Sequence, residues 1–264
     1  MNTHYSDLNA AYRAAGVATD DSSDVASVRG WLAQAGRIVV LTGAGISAES
    51  GVPTFRDAQS GWWAQFDPEE LATEAAFRGD PERVWSWYAH RRGLVQGVAP
   101  NEAHRAIAQF QKRHPGRLTL ITQNVDGLHQ RAGSKDVLAL HGNLMQDRWL
   151  DAPARCCDPN RLQHGTPPRC PVCGNLRRPA VVWFGESLPE EAFDAGQKAA
   201  LACEVMLVLG TSGAVYPAAG LALTAASGNA KLAIVNTAAS ELDDIAHALL
   251  RGRAGDLVAQ LLDF

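Results

Sequence analysis

The sequence predicts an α/β protein, built on a doubly wound, Rossmann-like parallel sheet with a smaller domain formed by two insertions. Glycine and polar residues follow the carboxyl ends of the predicted strands, where open α/β sheets bind ligands. The regular alternation is interrupted by a helical stretch over 57–100 and by a stretch rich in Cys and Pro over 146–178. The strand candidates, which recur with helical segments between them, are residues 37–42, 117–122, 179–184, 204–209 and 231–236.

The first strand candidate leads into a glycine turn. Residues 37–42 are β-branched and apolar without alternation, as expected for a strand buried on both faces. In the turn that follows, Gly43 tolerates a tight backbone and Gly45 lets that backbone approach a pyrophosphate. Ala44 lies between them, and Ala48 is the third small residue of a dinucleotide-binding pattern. The pattern alone is equally compatible with an ordinary strand, turn and helix.

Polar side chains follow three other strands. Gln123, Asn124 and Asp126 come directly after the second strand, where they could bind a ligand or simply cap a local turn. A helix cap that is also an anion site is predicted at Gly210, Thr211 and Ser212. Asn236 ends the last strand, where a Rossmann dehydrogenase usually has Asp or Glu, which counts against a dehydrogenase.

Among the eight histidines, His141 has a distinctive context. It lies between the apolar residues 137–140 and Gly142, so a short strand would carry its imidazole into the cleft. A pKa near 6.5 suits a general base at neutral pH; the alternative is a histidine hydrogen-bonded in the core. The other histidines, His104 and His129 included, are assigned to the surface or to packing.

The cysteines predict a structural zinc site. Cys170 and Cys173 have the spacing of half a zinc knuckle. The second half is incomplete, because Trp149 stands near where a first cysteine is expected and the remaining candidates, Cys156 and Cys157, are adjacent. Adjacent residues are expected to reach one metal only with strained geometry. The alternatives are four-cysteine zinc, three cysteines with His164 or water, and a metal-free thiol cluster.

Several motifs in consistent order resemble the sirtuins, which are NAD-dependent protein lysine deacylases. The resemblance covers about residues 28–262 and is closest to the bacterial and desuccinylase-type (class III) branch. The motifs are LTGAGISAESGVPTFR at 41–56, ITQNVDGLH at 121–129, ALHGN at 139–143, VVWFGE at 181–186, GTS at 210–212 and VN at 235–236.

The resemblance implies a role for each candidate residue. His141 would remove a proton from the cofactor ribose, and Phe55 would cover the reacting ribose. Val182, Trp183, Phe184 and Gly185 would hold the peptide substrate. The NAD site would be formed by Gly43, Ala44, Gly45, Phe55, Arg56, Gln123, Asn124, Asp126, Gly210, Thr211, Ser212, Asn236 and Ala254, with Asn124 also counted as catalytic.

An acyl-selective pair is predicted on a helix that begins at Asp80 and Pro81 through an N-cap and a first-turn proline. Tyr88 and Arg91 are three residues apart and therefore share one face of this helix. A guanidinium and a phenol can receive a carboxylate, and the resemblance places them at the far end of the acyl pocket, near Ala58 and Gly61. The expectation is a preference for succinyl or malonyl groups. The alternative is a solvated arginine beside a core tyrosine.

The composition restricts the partners. A net charge of −4 over 264 residues gives no electrostatic footprint for nucleic acid. No run of about 18 apolar residues could span a bilayer, so no membrane partner is expected and a cytoplasmic location is the default. Acyl-lysine proteins or peptides are the expected partners, and the oligomeric state is left open.

Two other function classes remain open. A mono-ADP-ribosyltransferase or an NAD glycohydrolase would use the same pocket and His141. A catalytically silent NAD-binding module is disfavoured, because each chemical position carries a competent side chain. The predicted domain limits are 1–22 for an N-terminal extension, 23–56, 101–145 and 179–264 for the NAD-binding domain, and 57–100 and 146–178 for the small domain with its helical and Cys-rich zinc modules.

Overall fold

The computed structural model describes residues 21–54 and 67–264 of the chain. The extension expected over 1–22 thus lies outside the described residues, except for its last two. Four residues with expected roles also lie outside them: Phe55, Arg56, Ala58 and Gly61.

Strands and helices alternate along most of the described chain. The strands are β1 (Ile38–Thr42), β2 (Leu118–Thr122), β3 (Leu138–Ala139), β4 (Gly142–Trp149), β5 (Arg177–Val181), β6 (Val205–Leu209), β7 (Lys231–Asn236) and β8 (Ala248–Arg251). The helices are α1 (Asp21–Gln34), α2 (Gly45–Ala48), α3 (Pro68–Leu71), α4 (Glu74–Gly79), α5 (Pro81–Gln96), α6 (Glu102–Arg113), α7 (Leu128–Arg131), α8 (Glu190–Ala202), α9 (Gly220–Ser227) and α10 (Ala254–Leu262), with a 3₁₀ turn over Asp243–Ile245.

The large sheet has the order β3-β2-β1-β6-β7-β8, and every neighbouring pair is parallel. From β1 the chain builds outward to β2 and β3, then returns to the other side of β1 as β6. This reversal of direction is the topological switch point at which open α/β sheets bind ligands. The predicted doubly wound, Rossmann-like fold is confirmed.

Both faces of the large sheet are buried. Ile38 and Val40 of β1 belong to a core shared with α1, α6 and α10. Val39 and Leu41 belong to the opposite core, shared with α8 and α9. In a strand that is buried on both faces, apolar and polar residues do not alternate. This explains the continuous apolar run in the sequence.

The prediction that residues 179–184 form a strand of the parallel sheet is wrong. The strand observed there is β5, which pairs antiparallel with β4 in a separate two-stranded sheet, with an irregular register between Asn143 and Asp147. An apolar run indicates burial but does not identify the partner strand. This small sheet contacts α5 and shares a third core with it, which includes Phe77, Trp87 and Trp183.

Helix α5 begins as the sequence predicts. The Asp80 side chain accepts a hydrogen bond from the Arg83 N–H at 3.1 Å, and Pro81 occupies the first turn. Within the described residues, no helix combines the length and the apolar character needed to cross a membrane.

Phe110 provides a test of the first core. It is fully buried in α6, with its ring centroid 5.5 Å from that of Phe264. Phe110→Ala should lower the free energy of unfolding by about 3–5 kcal/mol, because it removes buried apolar surface and leaves a cavity. Denaturant titration measures the change, with the exposed Lys112→Ala of the same helix as control. A loss no larger than that of the control would contradict this account of the core.

Candidate active site

One cavity of about 920 Å³ opens at the carboxyl edge of the large sheet. Its walls are the loops after β1, β2, β6 and β7, together with one side of α5 and the segment that follows β5. Every candidate cofactor, substrate and catalytic residue within the described chain lines it. These residues are Gly43, Ala44, Gly45, Tyr88, Arg91, Gln123, Asn124, Asp126, His141, Val182, Trp183, Phe184, Gly185, Gly210, Thr211, Ser212, Asn236 and Ala254.

The glycine turn packs directly against the loop that follows β6. The Gly45 N–H donates to the Gly210 carbonyl at 2.7 Å. A Cβ on Gly43 would lie 2.6 Å from the Thr211 Cβ, and one on Gly45 would lie 2.8 Å from the Gly210 Cα. Gly43 and Gly45 are therefore required by the close approach of two loops. The helix α2 that follows has only four residues and forms a single turn.

A buried polar cluster forms part of the cavity wall. The Ser47 hydroxyl donates to Asp126 Oδ2 at 2.7 Å, and Asn124 Nδ2 donates to Ser47 Oγ at 3.1 Å. Asp126 Oδ1 accepts a hydrogen bond from the Leu128 N–H at 2.8 Å. This is the local turn cap that the sequence allowed as an alternative to ligand binding. Burial raises the pKa of Asp126, although these hydrogen bonds oppose the shift. Asp126 therefore both caps a turn and joins the network that fixes Asn124.

Two buried histidines extend this cluster and were missed by the sequence reasoning. His104 Nε2 lies 3.4 Å from Ser47 Oγ, and His129 Nε2 lies 3.0 Å from Thr42 Oγ1. Their ring centroids are 4.7 Å apart. Burial lowers the pKa of His104 to about 4 and that of His129 to about 3, so both rings are neutral at pH 7. The sequence did contain one indication of His104, because Asn101 is a helix cap three residues before it. The His104 side chain completes the capping box with Asn101.

His141 is held in one tautomer. Its Nδ1 lies 2.9 Å from the Gln123 carbonyl oxygen, which can only accept, so Nδ1 carries the proton. Nε2 of the neutral ring is then unprotonated. Burial lowers the pKa of His141, and the bond to Gln123 opposes the shift only in part. The ring is therefore a neutral base at physiological pH.

The loops at the strand ends are tied to each other across the cavity floor. Gln123 Nε2 donates to Thr211 Oγ1 at 3.3 Å, and Asn236 Nδ2 donates to the Thr211 carbonyl at 3.0 Å. Ser212 Oγ accepts from the Ala214 N–H at 3.5 Å, a local turn bond. Ala254 is the buried first residue of α10.

Tyr88 and Arg91 lie on the cavity side of α5. Burial raises the pKa of Tyr88 to about 12, so its phenol stays protonated. The Arg91 guanidinium carbon lies 4.8 Å from the centre of the Trp87 ring, and burial lowers the pKa of Arg91. The arginine is partly buried and lines the cavity, which favours the predicted pair over a fully solvated arginine.

The segment after β5 runs along the cavity. Its N–H groups at Val182, Trp183 and Phe184 donate to the His141 carbonyl at 2.9 Å, Glu186 Oε2 at 2.8 Å and the Ala72 carbonyl at 2.9 Å, respectively. Phe184 is 46% exposed, whereas Trp183 is buried. The exposed ring thus offers an apolar surface at the cavity rim.

The four cysteines of the predicted zinc site come together outside the cavity. The Sγ atoms of Cys156, Cys157, Cys170 and Cys173 all lie within 4.8 Å of one another. Tetrahedral Zn–S bonds of about 2.3 Å place sulfur atoms about 3.8 Å apart, so the spacing fits one zinc ion. Hydrogen bonds from backbone N–H groups, of which that of Cys173 has the largest effect, lower the pKa of Cys170 to about 7. This favours the thiolate form that zinc needs.

The expected strain at the adjacent pair is not observed. A turn closed by the Cys157 N–H and the Ala154 carbonyl at 2.9 Å presents both thiols to the same side. Neither cysteine has positive φ; among the described non-glycine residues only Asp136 and Asn229 do. His164 is outside the cluster, and the four cysteines are positioned to bind one zinc ion without it.

Comparison with known proteins identifies the family of this chain. The Sir2 family model matches residues 43–217. The NAD-dependent protein deacylase of Ralstonia nicotianae is 51% identical over 245 residues, which cover 93% of this chain and 98% of that protein. The structure of a Sir2 homolog in complex with NAD is 40% identical, with a TM-score of 0.80 and coverage of 94% of each chain.

A second solved structure is a mutant Sir2 homologue in complex with 2′-O-acetyl ADP ribose. It is 40% identical, with a TM-score of 0.77, and covers 92% of this chain and 95% of that one. The sequence resemblance to the sirtuins is thus confirmed by sequence and by fold. The chain belongs to the Sir2 family.

Proposed function

We propose that the protein is an NAD-dependent protein lysine deacylase that releases nicotinamide and O-acyl-ADP-ribose. The observation that carries the proposal is that the neutral His141 base, the glycine turns and the Tyr88–Arg91 pair line the same cavity. Relatives of the same family, about half identical, are named for this activity. A cytoplasmic location and independence of nucleic acid remain predictions from the sequence.

The loops after β1, β6 and β7 are the proposed site for the two phosphates and the adenosine of NAD. Gly43, Gly45 and Gly210 all line the cavity, where backbone without side chains would let a diphosphate approach closely. Asn236 and Ala254 border the same part of the sheet edge, and Phe55 and Arg56 are proposed to contribute from the segment outside the described residues. Gln123, Asn124 and Asp126 are the proposed nicotinamide-binding residues.

In the proposed reaction the acyl-lysine carbonyl oxygen attacks C1′ of the nicotinamide ribose, and nicotinamide leaves with the electron pair of the C–N bond. His141 Nε2 then takes a proton from a ribose hydroxyl, which attacks the acyl carbon. Water releases free lysine and O-acyl-ADP-ribose. The bond to Gln123 prepares His141 for this step, because it leaves Nε2 unprotonated.

The peptide substrate is proposed to lie along residues 182–185 as an added strand. Because the N–H groups of Val182, Trp183 and Phe184 are bonded within the protein, an incoming strand would pair mainly with the carbonyl groups of this segment. The acyl chain would then enter the cavity toward Tyr88 and Arg91. A partly buried guanidinium beside a protonated phenol suits a terminal carboxylate, so we propose a preference for succinyl or malonyl groups.

The small domain is proposed to combine 57–100 with 146–178 around one structural zinc ion. The third apolar core and the cysteine cluster support it. When bound, zinc would cross-link the turn at Cys156 and Cys157 to the knuckle at Cys170 and Cys173. The cluster contributes no residue to the cavity, so the ion has a structural role.

His141→Ala should lower acyl-lysine turnover by about 10²–10⁴-fold, because it removes the general base. Calorimetry should show NAD binding largely retained. In the wild type, the acid limb of kcat/KM should lie below about pH 6.5, because only the neutral ring accepts a proton and burial lowers its pKa.

The exposed His164→Ala is the matched control and should keep full activity. Product analysis with an acylated peptide separates deacylation from NAD hydrolysis or ADP-ribosyl transfer, because only the deacylase gives free lysine and acyl-ADP-ribose in equal amounts. Retention of more than about a tenth of the wild-type rate by His141→Ala would rule out the assigned base.

Arg91→Met should lower desuccinylation by about 10- to 150-fold, since a hydrogen bond to a charged group contributes about 1.5–3 kcal/mol. Turnover of acetyl-lysine should change far less. The neighbouring Arg92→Met is the control, because Arg92 faces β4 and donates to the Leu144 carbonyl at 2.7 Å. An equal loss of both activities in Arg91→Met, or a wild type that ignores succinyl-lysine, would make the enzyme a plain deacetylase.

Replacing Cys156, Cys157, Cys170 or Cys173 with Ser, one at a time, should release zinc and lower the melting temperature, because structural zinc couples binding to folding. Elemental analysis and thermal denaturation measure both effects. Cys203→Ala is the control, since this buried thiol is outside the cluster. Freshly purified wild-type protein without zinc would argue against the site.

A further inference from the structure

Trp183 connects the peptide segment to the acyl-selective pair. Its indole is buried, and Nε1–H donates to the Tyr88 hydroxyl oxygen at 2.9 Å. The bond spans 95 residues of sequence, so it joins two parts of the chain that are far apart in sequence. Tyr88 in turn lines the cavity next to Arg91 on α5.

The polarity of this bond is fixed by chemistry. An indole N–H can only donate, so the Tyr88 oxygen must be the acceptor. The hydroxyl proton of Tyr88 then points away from Trp183 and is left to donate to another group. Because burial keeps the phenol protonated at neutral pH, this proton is present. Donation into a hydroxyl oxygen also strengthens the bond that the hydroxyl itself donates.

Trp183 is held in place by contacts to the face of its indole ring and to its backbone N–H. The Arg178 guanidinium lies 3.2 Å from the centre of the Trp183 ring and forms a buried ion pair with Glu186. The same carboxylate accepts the Trp183 backbone N–H at 2.8 Å. Burial opposes ionisation of Glu186, yet hydrogen bonds from Arg178 and Trp183 hold the pKa of this carboxyl below its usual value. A cation over the ring also draws electron density from the indole, which makes the N–H a better donor.

We propose that Trp183 is a positioning residue for acyl-chain selectivity: its indole N–H orients the Tyr88 hydroxyl as a donor toward the acyl chain. The inference rests on the proposed deacylase function and on the Tyr88–Arg91 pair. An oriented donor beside a guanidinium favours an acyl chain that ends in a carboxylate. An acetyl group is too short to use this donor, so the effect belongs to acidic chains.

Trp183→Phe tests the proposal, because it keeps an aromatic ring and removes the N–H. The readout is the ratio of kcat/KM for succinyl-lysine to kcat/KM for acetyl-lysine peptides. The ratio should fall by about 2- to 12-fold, the range for loss of one neutral hydrogen bond, mainly through a higher KM for the succinyl peptide. In a Tyr88→Phe background, Trp183→Phe should leave the ratio unchanged, because the oriented hydroxyl is absent.

Phe77→Leu is the packing control. Phe77 lies 5.2 Å from the Trp183 ring between centroids and offers no hydrogen bond to Tyr88, so its substitution should preserve the ratio. If Trp183→Phe folds poorly, site-specific replacement of Trp183 by the benzothienyl analogue removes the N–H with almost no change of shape and gives the same test.

An unchanged ratio in the folded Trp183 variant, or an equal fall in the Tyr88→Phe background, would overturn the positioning role. These results leave the proposed function standing as long as Arg91→Met still lowers desuccinylation selectively. A wild type without succinyl activity instead overturns the acidic-acyl proposal, and this inference with it.

Discussion

The arrangement of the site depends on one steric constraint, the contact between the loops that follow β1 and β6. Gly43, Gly45 and Gly210 let the two backbones approach so closely that a Cβ on any of them would overlap the opposite loop. This contact lies at the switch point of the sheet, where two neighbouring parallel strands send their loops in opposite directions. The hydrogen bonds from Gln123 and Asn236 to Thr211 then tie the outer loops to the same place. The cavity floor is therefore fixed by close backbone contacts together with two side-chain hydrogen bonds to Thr211.

The large sheet could be predicted from the sequence because its central strands are buried on both faces and read as continuous apolar runs. The start of α5 could also be predicted, because its signals are adjacent in sequence: Asp80 is the N-cap and Pro81 is a first-turn proline. The apolar run of β5 was assigned to the wrong sheet because hydrophobicity reports burial and not pairing. Half of the residues of its partner β4 are exposed and only one is buried, so β4 gave no strand signal.

Within the site, the sequence pointed to cavity-lining residues that one loop carries, and it missed residues that several elements bring together. Gln123, Asn124 and Asp126 lie within four positions of one another and can be recognised as a motif. His141 can be recognised because it lies between an apolar segment and Gly142. His104 and His129 become informative only when α6 and α7 place them against Ser47 and Thr42. The adjacent pair Cys156 and Cys157 violated the usual spacing rule, and only the turn at Ala154 shows how both thiols reach one point.

The two-stranded sheet has a mechanical consequence. The pair Gly142–Val181 at one end of this sheet lies next to His141 and Val182, where the Val182 N–H donates to the His141 carbonyl. Its other end, the rung Trp149–Arg177, opens into the chain segment that carries the four cysteines. The two strands therefore connect the cysteine cluster both to His141, the proposed base, and to the segment proposed to bind the peptide. Zinc bound at the four cysteines would hold these two strands in register, so we expect loss of the metal to lower the catalytic rate together with the stability.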